Sequence, residues 1–146
     1  MQYENALHAI QDITAKEKDI LQGIVDILYQ HFNHYSWVGI YLVKDDELVL
    51  GPWKGPQATE HTNIPIGQGI CGSAAASGKT ECVDDVHDDD RYLACFISTR
   101  SELVVPIIKK RQVIGEIDID SDSPHAFTLD DTLFLEKIAD ILKEHI

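Results

Sequence analysis

A strict alternation of side chains along two adjoining segments most constrains the fold of this chain. The segments "SELVVPIIK" (101–109) and "QVIGEIDID" (112–120) are separated by a short basic turn, which predicts a β-hairpin. Successive side chains of a strand point to opposite faces, so one face of this hairpin is apolar. The opposite face collects acids, namely Glu102, Glu116, Asp118 and Asp120. The chain must therefore build a sheet with two unlike faces.

The remaining segments supply helices to cover the apolar face. Residues 3–32 are predicted to be helical, with capping-box spacing at Thr14 and Glu17, and residues 129–146 form a second helical segment with Thr128 as its N-cap. The strands "SWVGIYLVK" and "ELVLGPWKG" form another hairpin, and a short helix through "CGSAAASG" ends at Gly78. A brief strand is expected in "TECVDDV".

The order of these elements indicates the α+β class. No strand–helix–strand alternation is present, so an antiparallel sheet with the N- and C-terminal helices on one face is expected. The other face then lies under the irregular residues 55–100, where a ligand pocket is expected. The length of 146 residues predicts a single domain, 1–146.

Two aromatic side chains share the face that carries the acids. On the first strand Trp37 and Tyr41 alternate with apolar residues, so they belong with Glu102, Asp118 and Asp120. A solvated sheet face is the simplest interpretation of such acids, but the aromatic residues do not suit an open wet surface. Carboxylates beside aromatic rings suit a ligand that is partly cationic and partly apolar, such as an amino acid or an amine. A metal ion is the alternative.

The three cysteines include no closely spaced pair, which disfavours a disulfide scaffold and favours a reducing cytoplasm. Cys95 lies in a polar loop, where its reactivity can be tuned. Cys71 opens a helix, where backbone N–H groups would lower its pKa, although a buried packing role is equally compatible. Cys82 is interpreted as a packing residue. His87 and the cysteines show no compact ligand spacing, so we expect no metal site.

The net charge of −13 argues against nucleic-acid partners and against anionic lipid surfaces. No apolar run reaches the length of a membrane-spanning helix, and the first residues do not resemble a secretory signal.

The chain resembles GAF domains, and more closely those that act as free methionine-(R)-sulfoxide reductases. The resemblance covers residues 3–145 and is carried by "SWVGIYLV", "LGPWKG", "IPIGQGICGSAAASG", "VHDDDRYLAC", "SELVVPI" and "GEIDIDS". It implies that free methionine sulfoxide is the substrate and that no cofactor is bound. An external reductant, thioredoxin or another thiol, is implied as the partner.

The resemblance also assigns site residues. The nucleophile falls on Cys95, the carboxylates fall on Glu102, Asp118 and Asp120, and Cys71 helps to form the pocket. The aromatic residues around the methyl sulfoxide fall on Trp37 and Tyr41. Of these, Cys95, Asp120 and Glu102 are taken as catalytic.

The chain departs from the family pattern at one position. Members with a disulfide relay carry a resolving cysteine before Ile64, where this chain has Thr59 or His61. Resolution then falls to Cys71, to Cys82 or to an external thiol. A ligand-binding GAF module that acts as a sensor or partner-binding domain is the alternative function. Apolar residues beyond one stripe of the first helical segment, including Leu21, Val25 and Tyr29, suggest a homodimer.

Overall fold

Four helices and six strands make up the computed structural model, which describes residues 2–16, 19–93 and 96–146. The helices are α1 (Gln2–Lys16), α2 (Ile20–His31), α3 (Gly69–Ser77) and α4 (Leu129–Leu142), with single 3₁₀ turns at Val86–Asp88 and Lys143–His145. The strands are β1 (Trp37–Lys44), β2 (Glu47–Lys54), β3 (Asn63–Pro65), β4 (Glu81–Val83), β5 (Ser101–Lys109) and β6 (Gln112–Ser121).

All six strands form one antiparallel sheet in the order β3-β2-β1-β6-β5-β4. The two predicted hairpins, β1–β2 and β5–β6, are present and are joined side by side through β1 and β6. Their turns contain Asp45, Lys110 and Arg111 at positive φ, as tight hairpin turns require. The short strand β3 lies within residues 55–100, which the sequence predicts to be irregular, and extends the sheet beyond β2.

The apolar face of the sheet, here called the helix face, packs against α2 and α4, with α1 packed on α2 at the same core, which confirms the predicted α+β arrangement. Its core is built of side chains from the three central strands and from the helices. Members with no exposed surface include Val38, Ile40, Leu103, Ile107, Ile117, Ile119, Leu28, Phe32, Leu135 and Ile138.

The N-terminal helical segment is two helices rather than the continuous run predicted for 3–32. Thr14 lies inside α1, where its hydroxyl donates to the Gln11 carbonyl at 2.8 Å, so the predicted capping box is wrong. Asp19 caps α2 instead by accepting from the Gln22 N–H at 3.5 Å. Thr128 does cap α4, in a reciprocal capping box with Asp131.

Val25 was expected to contribute to a dimer surface, but it is fully buried in the core of its own chain. Leu21 and Tyr29 are also packed against that core and only partly exposed. The large apolar side chains on the surface of α4 are Leu129 and Leu133. Among the described residues, no helix is both long and apolar enough to cross a bilayer.

Asp131, in the first turn of α4, links the last helix to the N-terminal part of the chain. Its Oδ1 accepts hydrogen bonds from the hydroxyls of Tyr35, at 2.7 Å, and Tyr3, at 3.1 Å, and lies 3.1 Å from His34 Nε2. Burial raises the pKa of Asp131, but the hydrogen bonds from His34, the Thr128 N–H and Tyr35 outweigh it and lower the pKa to about 2.

This lowered pKa predicts a pH-dependent contribution to folding. Because the folded protein holds the carboxylate ionised below the unfolded pKa, the contribution is complete above about pH 4 and is lost as pH falls towards 2. Asp131→Asn should remove about 2 kcal/mol of pH-dependent stability. Urea unfolding of both proteins from pH 2 to 7 measures it, with the exposed neighbour variant Asp130→Asn as control. Parallel curves for wild type and Asp131→Asn would contradict the assignment.

Candidate functional site

The register of the central strands assembles the site on the side of the sheet opposite the helices, here called the acid face. Three cross-strand rows are formed: Trp37–Asp120–Glu102, Gly39–Asp118–Val104 and Tyr41–Glu116–Pro106. Directly opposed residues of antiparallel strands share a face, so the four acids and both aromatic residues are neighbours. The predicted segregation of faces is therefore confirmed.

Trp37 lies flat on a floor made by two glycines. A Cβ atom at Gly39 or at Gly55 would overlap the indole ring of Trp37, so only glycine at these two positions leaves room for the ring. The Trp37 ring stacks on the Trp53 ring, with centroids 6.1 Å apart, and its centroid lies 5.8 Å from that of the Phe96 ring. Trp37 is 2% exposed, which excludes the open wet face considered above.

Helix α3 closes the middle of the acid face and brings Cys71 to the acids. The positive φ of Gly69 starts this helix, and Gly78 ends it in the left-handed conformation while its N–H donates to the Ala74 carbonyl. The Cys71 thiol lies 3.8 Å from Glu102 Oε2, and its sulfur and one oxygen each of Glu102 and Asp118 lie within 4.8 Å of one another.

The four acids are almost completely removed from water. Glu102, Glu116, Asp118 and Asp120 are each 3% exposed or less. No Lys or Arg of the described residues forms an ion pair with Glu116, Asp118 or Asp120. Both oxygens of Glu116 and of Asp120, and Oδ1 of Asp118, have no hydrogen-bond partner within the described part of the chain.

This environment favours the protonated forms. Burial raises the pKa of Asp118, and burial together with the neighbouring Asp118 raises the pKa values of Glu116 and Asp120. Burial, and then the charge of Asp118, also raise the pKa of the Cys71 thiol. The lowering expected from its position at the start of α3 is therefore wrong, because desolvation exceeds the effect of the helix terminus. A carboxyl group whose pKa is raised holds its proton to higher pH and is therefore a candidate proton donor.

A narrow cleft reaches the acid face at Asp120. It is lined by the Trp37 and Phe96 rings and by Pro56, Gln57 and Thr99, and encloses about 10 Å³. That volume holds about one water molecule, so an amino acid enters only if side chains around the cleft move. Phe96 was not identified from the sequence; the signal was an aromatic residue in an otherwise polar loop.

Two arginines hold the segments on either side of Cys95, which itself lies outside the described residues. Arg91 forms a two-bond fork with Glu81 and also pairs with Asp89, while Arg100 pairs with Asp85 at 3.1 Å. The Leu93 side chain packs over Gly69 at the start of α3. These contacts attach the loop around residues 89–93 to β4 and α3.

Thr59 and His61, on which the resemblance would place a resolving cysteine, lie beside the aromatic part of the site. The Tyr41 hydroxyl donates to the His61 carbonyl at 2.8 Å, and the His61 N–H donates to the Thr59 hydroxyl at 3.1 Å. This segment therefore packs against the acid face, although neither residue has a thiol.

Cys82 lies apart from these groups. It is exposed on the edge strand β4, so its interpretation as a packing residue is wrong. It is paired with Leu103, a residue of the helix-face core, and thus belongs to the opposite face of the sheet from Cys71. His87 is exposed, in agreement with the solvated loop expected for it.

Comparison with known proteins identifies relatives of this arrangement. The GAF domain family model matches residues 17–146. The chain is 40% identical to free methionine-R-sulfoxide reductase of Escherichia coli over 77% of this chain and 67% of that protein, and 37% identical to GAF domain-containing protein A of Dictyostelium discoideum over 97% and 90%. The solved structure of free methionine-R-sulfoxide reductase from Neisseria meningitidis in complex with its substrate is 39% identical and superposes with a TM-score of 0.91, covering 97% of this chain and 86% of that one.

The buried acids should reduce the stability of the protein at neutral pH. Asp118 keeps its proton in the folded state at pH values where the unfolded chain has lost it, so stability falls as pH rises from about 4 through the raised pKa. Asp118→Asn should therefore stabilise the protein at pH 8, because the unfolded chain then no longer gains from ionising a carboxyl group that the fold keeps protonated. The gain should vanish near pH 3.

Urea unfolding midpoints at pH 3, 5 and 8 measure this effect, and Asp46→Asn at the exposed first hairpin turn is the matched control. A gain that is equal at all three pH values would show that charge burial is not its cause.

Proposed function

The chain belongs to the GAF domain family and, within it, to the group of the free methionine-R-sulfoxide reductases, and from this membership we propose that it reduces free L-methionine (R)-sulfoxide to methionine with thiol electrons. The observation that carries the proposal is the set of buried, uncompensated carboxylates beside the Trp37 ring. Such a site needs a ligand with a cationic end and an apolar end, and free methionine sulfoxide has both.

The proposed reaction assigns the attacking group to Cys95. Its sulfur attacks the sulfoxide sulfur while an acid of the site delivers a proton to the sulfoxide oxygen. The attack forms a bond between the two sulfur atoms, and this bond and the original S–O bond then break as the oxygen passes to Cys95. Methionine leaves, and Cys95 remains as a sulfenic acid, oxidised by two electrons. Asp120 and Glu102 are the proposed catalytic acids, and the raised pKa of Asp120 supports a proton donor there.

Binding of the substrate is assigned to the rest of the acid face. Asp118 contributes negative charge towards the α-ammonium group, and the Trp37 and Tyr41 rings contact the methyl sulfoxide. Cys71 closes the pocket from α3. Arrival of an ammonium group among these acids favours their ionised forms and removes part of the desolvation cost that they carry.

The sulfenic acid must then be reduced by a second thiol, with release of water and formation of a disulfide. Cys71 or an external thiol such as thioredoxin is proposed for this step. The side of the sheet on which Cys82 lies argues against Cys82. The raised pKa of Cys71 favours an external dithiol, because the thiolate is the attacking form.

A ligand-binding GAF module without catalysis is the second candidate function. Its supporting observation is that Thr59 and His61 lie beside Tyr41 where a relay cysteine would be expected. Either function is proposed for one domain, 1–146, in a reducing cytoplasm. A homodimer through Leu129 and Leu133 is also proposed, and light scattering at micromolar concentration that gives the monomer mass would refute it.

Turnover of the free amino acid tests the proposal directly. Methionine production from free methionine-R-sulfoxide should be coupled to NADPH oxidation through thioredoxin and its reductase, and should also proceed with a small dithiol. The same sulfoxide within a peptide should react at least about tenfold more slowly, because its amide lacks the ammonium charge that the acids bind. Binding without turnover under both reductants would favour the ligand-binding module, and equal rates on both substrates would refute the ammonium assignment.

The three cysteines should respond differently to substitution. With a dithiol as reductant, Cys95→Ser should abolish turnover, because the proposal leaves no other group to take the oxygen. Cys82→Ser should keep most activity, since Cys82 is exposed on β4, and Cys71→Ser should fall between the two.

If Cys71 reduces the sulfenic acid, Cys71→Ser should lose much more of its turnover with thioredoxin as reductant than with a small dithiol. Rates measured with both reductants separate these cases. Full activity of Cys95→Ser would refute its assignment as the nucleophile.

A further inference from the structure

Three buried side chains from different elements converge on one point of the acid face. The sulfur of Cys71 on α3, one oxygen of Glu102 on β5 and one oxygen of Asp118 on β6 all lie within 4.8 Å of one another. Sulfur and carboxylate oxygens are ligands that metal ions take from proteins. From the sequence we expected no metal site from Cys71, Cys95, His87 and the acids, and this group keeps only Cys71 and two of those acids.

The distance between the Cys71 sulfur and Glu102 Oε2 is close to that between two ligands of one small cation. A tetrahedral ion with a bond of about 2.3 Å to sulfur and about 2.1 Å to oxygen separates those two ligand atoms by about 3.6 Å. The Cys71 sulfur lies 3.8 Å from Glu102 Oε2, so little movement would bring both atoms onto a shared ion. Three protein ligands leave a fourth position open, as in zinc sites that exchange a ligand.

The surroundings independently favour a cation, because ionised carboxylates at Glu116, Asp118 and Asp120 would have no positive partner in the part of the chain that the structure describes. Asp118 Oδ1 is buried without a hydrogen-bond partner among the described residues, and so are both oxygens of Glu116 and of Asp120. Buried carboxylates are normally paired with cations or coordinate metals. Within the described part of the chain, no lysine or arginine forms an ion pair with Glu116, Asp118 or Asp120.

We propose that Cys71, Glu102 and Asp118 form a binding site for a thiophilic divalent cation of the zinc class. Mg²⁺ and Ca²⁺ prefer sites with six or more oxygen ligands, whereas a thiolate selects softer ions. The cation displaces the proton of the Cys71 thiol to solvent and forms a metal–sulfur bond, with no change in oxidation state.

Such an ion would regulate the reaction proposed above, and this consequence rests on the proposed function. Glu102 and Asp118 are also proposed to act on the substrate. A cation bound to them would neutralise negative charge that otherwise attracts the ammonium group of the substrate. Metal and free methionine sulfoxide should therefore compete. The metal site itself does not depend on catalysis.

Cd²⁺ is the probe for the site, because its bond to a thiolate gives an ultraviolet charge-transfer band. The double variant Cys82→Ser/Cys95→Ser keeps Cys71 as the sole cysteine of the chain. With a phosphine reductant that does not chelate the metal, it should bind one equivalent of Cd²⁺ with this band, and Zn²⁺ should displace it. The variant lacking all three cysteines is the blank, and far-ultraviolet circular dichroism checks that each variant is folded.

Adding Asp118→Asn to the double variant should weaken Cd²⁺ binding at least about tenfold. Since that substitution is expected to stabilise the fold, unfolding would not account for the loss. A double variant with no more signal than the blank, or undiminished affinity in Asp118→Asn, would overturn the site.

Free methionine sulfoxide should raise the apparent Cd²⁺ dissociation constant of the double variant in proportion to its concentration. An unchanged constant would overturn the competition. A wild-type protein that binds Cd²⁺ but never turns over the sulfoxide would support the metal site and refute the proposed function, so the two failures are distinguishable.

Discussion

A slip of one residue between β6 and its neighbours would exchange the two faces of the sheet, because side chains alternate along each strand. Asp118 and Asp120 would then enter the core beneath α1, α2 and α4, and Ile117 and Ile119 would face the ligand side. The hydrophobic cost of that exchange fixes the pairing of β1, β6 and β5. The same packing that stabilises the helix face therefore aligns the acids on the other face, and the site inherits its geometry from the core.

The acid face is maintained at the expense of folding stability. Four carboxyl groups lie under α3 and the aromatic residues, and Glu116, Asp118 and Asp120 have no positive side chain as an ion-pair partner in the described chain. The helix face, whose large apolar side chains are completely covered, offsets this cost. A site in this state interacts strongly with any cation that reaches it, because the fold has already removed the water that would weaken the attraction between opposite charges.

Local sequence patterns made much of the fold and of the acid face predictable. The bounds of β5, the Gly78 end of α3, the Thr128 cap and the grouping of Trp37 with the acids all follow from local patterns. The break between α1 and α2 did not, because both helices continue one apolar stripe and Asp19 is an ordinary polar residue in such a stripe. The thiol environment of Cys71 was also beyond local reasoning, since its proximity to four acids from two strands is a long-range property. Cys82 was misread because its sequence neighbours do not reveal that β4 is an edge strand.

The hydrogen bonds at Asp131 also bear on how the chain reaches its structure. They join positions 128 and 96 residues apart, through Tyr3 and Tyr35, at the first turn of the last helix. Contacts of such high sequence separation carry a large loop-closure entropy and are associated with slow folding. The first helix is consequently held by the last one rather than left to fray, as terminal segments usually are. Trimming residues from the start of the chain would therefore disturb the far end, and the two ends should gain protection from hydrogen exchange together as one cooperative unit.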